Sequence, residues 1–329
     1  AESFNEVVAG YSEAEALSEA SRCLQCKNPT CISGCPVNIN IKEFIFQITK
    51  KDYAAAYFGI RETNNFPSIC GRVCPAEYRC RKACVFNKSK FAYCSPEAIN
   101  IHFLERFVGD YGMRNNLEAP QARGVLGALP SVTAPQVRGV LGALPSATIK
   151  VAVVGSGPAG LCCAGELARK GVEVVVFEGL QSYGGVLRYG IPNFRLPREV
   201  LDHEINYLTK LKVKFKANVI VGKTITLDEL FQQGFSKIFL GLGAGVPSFL
   251  GIPGENLCNV YSANEFLTRI NLMSAYKFPE YHTPVNIGQH VLVIGGGNTA
   301  MDAARCALRL QKANGIKPDV KIIYRRRLT

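Results

Sequence analysis

Hydrophobic and polar positions follow two different patterns along the chain. Up to about residue 118, apolar residues recur at helical spacing in the stretches 12–22, 41–58 and 97–109, and β-branched runs long enough for a sheet are missing. From Lys150 onward, short apolar runs alternate with amphipathic segments. The first pattern predicts a small helical domain, and the second predicts a parallel sheet with crossover helices.

The second pattern occurs twice. Two strand–helix–strand units are predicted, with elements at 151–154, 159–170 and 172–177 in the first and at 290–294, 298–312 and 321–324 in the second. The second unit opens near residue 286. We expect it to be incomplete in this sequence, because a doubly wound domain cannot close with two strands.

These patterns divide the chain into four predicted segments. They are a helical domain at 1–118, a linker at 119–149, a first dinucleotide-binding domain at 150–285 and the start of a second at 286–329. The linker contains a tandem duplication, since APQARGVLGALPSVT at 119–133 is followed by APQVRGVLGALPSAT. Its Ala, Pro, Gly and Ser content is typical of a linker or surface insertion, and we assign it no function.

Composition and charge exclude several classes of function. The chain has 329 residues, of which 47% are hydrophobic, and a formal charge of +12. Its Lys and Arg are scattered, which argues against nucleic-acid binding and favours an anionic partner or phosphate-bearing cofactors. The longest apolar runs have the length of strands, so no membrane span is predicted. The first residues lack the apolar segment of a secretory signal, and we therefore expect a cytoplasmic protein.

Cysteine spacing is the first indication of chemistry. Thirteen cysteines are present, and nine fall within the first hundred residues. Two runs stand out, C-x2-C-x4-C-x3-C-P at Cys23, Cys26, Cys31 and Cys35, and C-x3-C-P-x4-C-x3-C at Cys70, Cys74, Cys80 and Cys84. Such spacing in a reducing compartment favours two iron–sulfur clusters, with the last cysteine of a run crossing to the other cluster. Zinc ligation and purely structural thiols remain alternatives.

The first dinucleotide fingerprint is VAVVGSGPAG. It places Gly155, Gly157 and Gly160 between a strand and a helix, where they allow a tight turn, close approach of a pyrophosphate and close helix packing. Glu178 ends the next strand, where a carboxylate can accept hydrogen bonds from an adenosine ribose. Strand, helix and terminal acid together favour a dinucleotide site over a plain glycine turn.

The second fingerprint is VLVIGGGNTAMD, with Gly295, Gly297 and Ala300 at the fingerprint positions. Its second strand ends in Tyr324 followed by three arginines at 325–327 instead of an acid. Guanidinium groups at this place can bind a 2′-phosphate through paired hydrogen bonds, so NADP(H) is favoured over NAD(H). An exposed basic segment without a ligand remains the alternative.

Taken together, these motifs resemble one family. With the segments YGGVLRYGIPNFRLP at 183–197 and LGIPGEN at 250–256, the sequence resembles the small subunit of NADPH-dependent glutamate synthase. It is also similar to the front half of dihydropyrimidine dehydrogenase and to the larger subunit of NADH-dependent ferredoxin:NADP oxidoreductase. The resemblance implies an α + α/β fold with two 4Fe-4S clusters in the helical domain. It also implies a doubly wound FAD-binding domain with an inserted Rossmann-like NADPH domain, whose C-terminal part we expect to be absent from this sequence.

The same resemblance implies specific metal ligands. One cluster is expected on Cys23, Cys26, Cys31 and Cys84, and the other on Cys35, Cys74, Cys80 and Glu105. Cys70 and Cys94 lie outside both sets, and we interpret them as buried or free thiols.

It also implies the residues that contact the nucleotide cofactors. Those expected at FAD are Gly155, Gly157, Pro158, Ala159, Gly160, Glu178, Gly184, Gly185, Leu187, Arg195 and Val221. Those expected at NADPH are Gly295, Gly296, Gly297, Asn298, Thr299, Ala300, Arg325 and Arg326.

The function implied by the resemblance is electron input. Hydride would pass from NADPH to FAD, and single electrons would pass through the clusters to a partner, since flavin converts between two-electron and one-electron chemistry. The expected partner is a large FMN- and iron–sulfur-containing subunit of glutamate synthase, in a hetero-oligomer. The alternatives are a ferredoxin-linked, bifurcating NADP oxidoreductase and a non-enzymatic iron–sulfur scaffold. No protein general base is needed, so no catalytic residue is predicted.

Overall fold

A computed structural model describes residues 3–88, 97–117 and 149–325. The duplicated segment up to residue 148, Cys94 and Arg326 therefore lie outside the described residues. Before residue 118 the helices are α1 (Glu13–Ser21), α2 (Thr30–Ser33), α3 (Ile41–Thr49), α4 (Tyr53–Arg61), α5 (Pro67–Val73), α6 (Cys80–Ala83), α7 (Val85–Lys88) and α8 (Ile101–Arg114).

Helices and strands alternate after residue 149. In chain order they are β1 (Lys150–Val154), α9 (Pro158–Arg169), β2 (Glu173–Phe177), α10 (Val186–Tyr189), α11 (Arg198–Lys210), β3 (Lys214–Lys216), α12 (Leu227–Gln232), β4 (Lys237–Leu240), α13 (Ala263–Asn271), β5 (Val291–Ile294), α14 (Asn298–Ala313) and β6 (Val320–Ile323). Within the part of the chain that the structure describes, no helix is long and apolar enough to cross a membrane.

The described residues form two compact units. The first unit contains 3–88, 97–117, 186–204 and 244–325, and the second contains 149–185 and 205–243.

The helical part of the first unit is built around one apolar core. Its fully buried side chains include Phe44, Ile48, Tyr57, Ile60 and Leu104, contributed by α3, α4 and α8. The amphipathic stretch predicted at 41–58 is two helices and not one. Lys51 has a φ of 60° and Asp52 accepts a hydrogen bond from Ala55 N, so the chain leaves one helix and caps the next at this point.

The first unit also contains a pair of parallel strands. β5 pairs with β6, from Val291 opposite Val320 to Ile294 opposite Ile323, and α14 is the crossover between them. The apolar face of α14 packs against α13 through buried residues that include Leu267, Ile270, Cys306 and Leu310. The second strand–helix–strand unit predicted from the sequence is thereby confirmed, with bounds within two residues of those expected.

The second unit contains a four-stranded parallel sheet in the order β3-β2-β1-β4. The two central strands are buried along nearly their whole length, since β1 and β2 both bury their last four residues. Strands that are buried on both faces have nearly continuous apolar sequences. This is why the segments VAVV and VEVVVF could be predicted as strands. The predicted strand–helix–strand unit is confirmed as β1, α9 and β2.

Candidate cofactor-binding sites

Four cysteines meet at one cavity in the helical part of the first unit. Cys23, Cys26, Cys31 and Cys84 line this cavity, whose walls are largely apolar and include Ile41, Ile45, Phe86 and Ile99. Burial, followed by the nearby Cys84 and Cys23 thiols, raises the pKa of Cys31 to about 11. We call these four residues the first thiol group. They are the set that the family resemblance implies for one cluster.

A second thiol group consists of Cys35, Cys74, Cys80 and the carboxyl of Glu105. Burial, followed by the nearby Glu105, Cys74 and Cys35, raises the pKa of Cys80 to about 12. Burial, followed by the nearby Glu105 and Cys35, raises the pKa of Cys74 to about 11. Burial raises the pKa of Glu105 to about 8, although a hydrogen bond from Asn64 opposes the shift. The Cys74 and Cys80 thiols therefore each lie within electrostatic reach of Glu105 and of Cys35, and burial desolvates both thiols.

The donor chemistry of both groups fits iron–sulfur clusters. Thiolate sulfur is the usual ligand of such clusters, and each cluster needs four ligands. Among the described residues no three His, Cys, Asp or Glu side chains have the geometry of a site for a single metal ion. The first thiol group, with four cysteines at one cavity, matches this donor set. Binding would release the protons that the raised pKa values retain on the thiols.

Two further cysteines of the helical domain lie outside these groups. The Cys70 thiol is half-buried and lies 3.6 Å from Asn64 Oδ1. Cys94 lies outside the described residues.

The first glycine-rich loop joins β1 to α9 in the second unit. Gly155 has a φ of 99°, and a Cβ on Gly160 would lie 1.9 Å from Gly155 O, so the turn and the helix start require glycine. A Cβ on Gly157 would meet nothing within 4 Å. Gly157 is the N-cap of α9, followed by Pro158 and Ala159 in the first turn. The open space at this helix N-terminus is suitable for a pyrophosphate.

Ser156 links this loop to Glu178 and to the Gly184–Gly185 turn. Glu178 Oε2 accepts hydrogen bonds from Ser156 N at 2.8 Å and from Ser156 Oγ at 2.5 Å. Ser156 Oγ in turn accepts from Gly184 N at 3.0 Å. Gly185 has a φ of 53°, and a Cβ on it would lie 2.6 Å from Gly157 Cα. Sequence reasoning missed Ser156, although its place between the two glycines of GSG was a signal for it.

Val221 follows a segment that is hydrogen-bonded to Glu178. Val219 N donates to Glu178 O at 2.9 Å, and Val221 follows two residues later in a bridge to Ile225. Eight of the residues expected at FAD therefore lie in the segments that follow β1 and β2, and Val221 is half-buried near Glu178.

Leu187 and Arg195, also expected at FAD, belong to the first unit. Leu187 is buried in α10, and its carbonyl accepts a hydrogen bond from Arg198. Arg195 Nη1 lies 2.5 Å from Asp302 Oδ2, and Asp302 is almost fully buried in the first turns of α14. Sequence reasoning missed Asp302, because nothing in the sequence relates it to Arg195 across about a hundred residues.

The second glycine-rich loop joins β5 to α14 in the first unit. Gly295 has a φ of 130°, Gly297 is the N-cap of α14, and Asn298 and Thr299 open the helix. A Cβ on Gly297 would meet nothing within 4 Å, as at the first loop. The Tyr324 ring packs so closely on Gly296 that a Cβ there would lie 2.7 Å from it. Arg325 is exposed one residue later, and Arg326 lies outside the described residues.

The fold and these sites define a class of protein. A cysteine-rich helical domain is joined to glycine-rich strand–helix turns that bind dinucleotides, which is the organisation of an iron–sulfur oxidoreductase. Residues 149–328 match the pyridine nucleotide-disulphide oxidoreductase family, and the chain belongs to that family. Residues 1–117 match the domain described as dihydropyrimidine dehydrogenase domain II, 4Fe-4S cluster.

Several proteins with curated names are similar to the chain. The glutamate synthase [NADPH] small chain of Azospirillum brasilense is 33% identical over 326 residues, which cover 98% of this chain and 61% of that protein. The NAD-dependent dihydropyrimidine dehydrogenase subunit PreT of Escherichia coli O157:H7 is 33% identical over 91% of this chain and 64% of that protein. The chain thus spans about three fifths of the length of these relatives.

One solved structure among the similar ones is FprA of Mycobacterium tuberculosis in complex with NADPH. It is 22% identical, with a TM-score of 0.44, over 54% of this chain and 43% of that chain.

These matches confirm the resemblance predicted from the motifs. An iron–sulfur domain precedes an oxidoreductase domain, and the sequence relatives include the glutamate synthase small chain. The predicted cofactors, 4Fe-4S clusters with FAD and NADPH, are those of the two matched domains. The individual ligand residues remain predictions.

Proposed function

We propose that this chain is the electron-input part of an NADPH-dependent flavin and iron–sulfur oxidoreductase. The observation that carries the proposal is the presence, in one chain, of two thiol groups and of two glycine-rich loops at helix N-termini. When bound, FAD would supply the conversion of one hydride into two single electrons. The finer features, two clusters and an NADPH domain inserted in the FAD domain, belong to the same proposal.

The residues of the chain have binding and orienting roles in this scheme. The N-terminal turns of α9 and α14 would bind the pyrophosphates, since backbone N–H groups and the helix dipole attract phosphate there. Ser156 and Glu178 fix the first loop through the hydrogen bonds described above. The first thiol group and the second would each hold one 4Fe-4S cluster. No side chain is required to move a proton in hydride transfer.

The partner we propose is the large subunit of a glutamate synthase. The support is the 33% identity to the small chain of that enzyme over 98% of this chain. Such a subunit would act in the cytoplasm, where the reducing environment keeps cysteines available as ligands.

Nucleotide preference is the sharpest test of the NADPH assignment. Replacing Arg325 and Arg326 together by alanine should weaken NADPH binding roughly 100-fold or more in a dye-reduction assay, because each charged hydrogen bond to a phosphate contributes about 1.5–3 kcal/mol. NADH turnover should change little, since NADH has no 2′-phosphate. Lys317→Ala, which removes another exposed charge before β6, is the matched control. Equal losses for both nucleotides would contradict the assignment.

A second candidate function is that of an NAD-dependent dihydropyrimidine dehydrogenase subunit. It is favoured by the PreT subunit, which is as similar in sequence as the glutamate synthase small chain. A preference for NADH in the dye assay, together with electron transfer to a dihydropyrimidine dehydrogenase catalytic subunit, would select this candidate. Co-purification with an FMN-containing large subunit and a preference for NADPH would select the first.

A further inference from the structure

Asn64 lies in the loop between α4 and α5, and it is one of the few buried polar residues of the helical domain. The residue is only 5% exposed. Its side-chain Nδ2 donates a hydrogen bond to Glu105 Oε1 over 2.6 Å. A polar side chain buried to this extent is normally retained for the hydrogen bonds it makes, and here one partner is the carboxylate of the second thiol group.

The Asn64 amide has one possible orientation. Its Oδ1 accepts a hydrogen bond from Phe66 N at 2.9 Å, and the Cys70 thiol lies 3.6 Å from the same oxygen. A flipped amide would turn its NH2 group towards these donors and its oxygen towards the Glu105 carboxylate, so the network itself fixes the assignment. Phe66 is the N-cap of α5. Asn64 therefore connects the start of α5 to Glu105 on α8.

The two helices that Asn64 connects also cross at very short range. A Cβ on Gly71 of α5 would lie 2.5 Å from Arg106 N, and a Cβ on Gly109 of α8 would lie 2.6 Å from Ser68 N. Cys74 follows α5 directly as its C-cap, and Glu105 precedes Arg106 on α8. The crossing thus fixes the two backbones, while the direction of the Glu105 side chain depends on its hydrogen bond to Asn64.

The loop that contains Asn64 is itself anchored. Arg61 Nη1 donates to the carbonyl of Asn65 at 2.7 Å, and Arg61 Nη2 lies 2.5 Å from Glu204 Oε2. Both side chains of this ion pair are almost fully buried. Since Asn65 is next in the chain, the loop cannot shift without disturbing a buried ion pair, which would be costly.

We propose that Asn64 is a positioning residue for the second thiol group. Its carboxamide holds one oxygen of Glu105 and thereby sets how the carboxylate is presented to Cys74 and Cys80. The inference rests on the proposed ligation of an iron–sulfur cluster by Glu105. Residues that orient a metal ligand through a hydrogen bond affect the affinity and electronic properties of the metal site without touching the metal.

The test uses Asn64→Ser in the iron-loaded full chain. The serine hydroxyl can still accept from Phe66 N, as in a serine turn, but it is too short to reach Glu105. In the dithionite-reduced protein, the EPR signal that Glu105→Ala alters should also be altered by Asn64→Ser, and the other signal should not change. Iron of the affected cluster should be lost to a chelator roughly tenfold faster. Asn64→Thr, whose hydroxyl is as short as that of serine, should have the same effect.

Asn100→Ser is the matched control. Asn100 also lies in the helical domain, and its Nδ2 donates to the Tyr11 hydroxyl at 3.1 Å, so the variant loses one amide hydrogen bond that does not involve Glu105. Both EPR signals and both rates of iron loss should stay as in the parent chain.

The variants distinguish the positioning role of Asn64 from the proposed ligation of a cluster by Glu105. Adding Asn64→Ser to Glu105→Ala should produce no further change, because Asn64 acts through Glu105. If Glu105→Ala leaves both signals unchanged, the proposed ligation by Glu105 is wrong. If Glu105→Ala alters a signal that both Asn64 variants leave intact, only the positioning role is overturned. Equal damage to both clusters by the Asn64 variants would also overturn it, since that would indicate a general loss of structure.

Discussion

Gly160 and Ala300 occupy the same fingerprint position in two loops, yet their surroundings differ. A Cβ on Gly160 would lie 1.9 Å from the Gly155 carbonyl oxygen, which is far inside contact distance. The second loop has more room. A hypothetical Cβ on Gly295 would lie 3.3 Å from the Cβ that Ala300 carries. The first helix is therefore packed more closely on its loop than the second.

This difference predicts the effect of one methyl group. Gly160→Ala should destabilise the chain by about 1–3 kcal/mol, because the added carbon must displace the loop from the helix. Gly157→Ala should leave the stability unchanged within about 0.5 kcal/mol, since a Cβ there meets open space and Gly157 has an extended backbone. Urea unfolding midpoints of the two variants measure the difference. Equal midpoints would contradict the close packing of α9 on its loop.

Individual residues also differ in how far the sequence identifies them. The cysteines and glycines are found from spacing, because their chemistry requires those residue types at short intervals. Asn64 and Asp302 cannot be found this way, because the residues they contact, Glu105 and Arg195, are distant in sequence. Glu105 was reached only through the family resemblance, and its burial beside Cys80 depends on the packing of α8.

At the scale of elements, the periodicity of apolar residues is sufficient to locate most helices and strands. It was too coarse to divide the stretch 41–58 into α3 and α4, although the step from Ile48 to Tyr53 is five residues and departs from the helical spacing on either side. The interruption depends on two residues. Lys51 adopts a φ of 60°, which ends the helical geometry after α3, and the side chain of Asp52 caps the start of α4. The crossing of α5 and α8 was not predicted either, since it depends on two glycines from distant segments.

Even a single methyl group at the crossing of α5 and α8 should lower the stability of the chain. Gly71→Ala should destabilise the chain by about 1–3 kcal/mol, because its Cβ would lie 2.5 Å from the Arg106 backbone and would separate the helices. Gly59→Ala on α4 is the matched control, since a Cβ there meets nothing within 4 Å. Alanine at that position should stabilise the chain by up to about 1 kcal/mol through its better helix propensity. Thermal unfolding of the two variants gives the comparison.

If Gly71→Ala and Gly59→Ala raise stability alike, helix propensity dominates at both positions and α5 is free to shift on α8. In that case, the fixed distance between Cys74 and Glu105 would no longer follow from the packing of these helices.

At the scale of the whole molecule, each thiol group brings together segments that are far apart in the chain. The first group combines Cys23, which follows α1, and Cys31 of α2 with Cys84, which lies between α6 and α7. A cluster bound there would link these segments in the folded state only. Its binding free energy would therefore add to the stability of the helical domain.

Removal of iron should accordingly lower the stability of the helical domain. The apo chain should unfold at a lower urea concentration than the iron-loaded chain, as measured by helical circular dichroism. Cys31→Ser should behave like a partly unloaded chain, whereas Cys70→Ser, outside both groups, should keep the iron-loaded midpoint. Identical midpoints with and without iron would mean that the domain is held by its apolar core alone.

The sequence by itself determined the classes of element, the two cysteine runs and the two dinucleotide fingerprints, because each depends on residues close together in the chain. The tertiary structure decided how these pieces are assembled: which thiols share a cavity, that Asn64 holds Glu105, that Ser156 joins Glu178 to Gly184, and that Arg195 pairs with Asp302. These relations depend on close packing between distant segments. Local spacing cannot encode them, since a pattern of neighbouring residues specifies an element but not the element against which it packs.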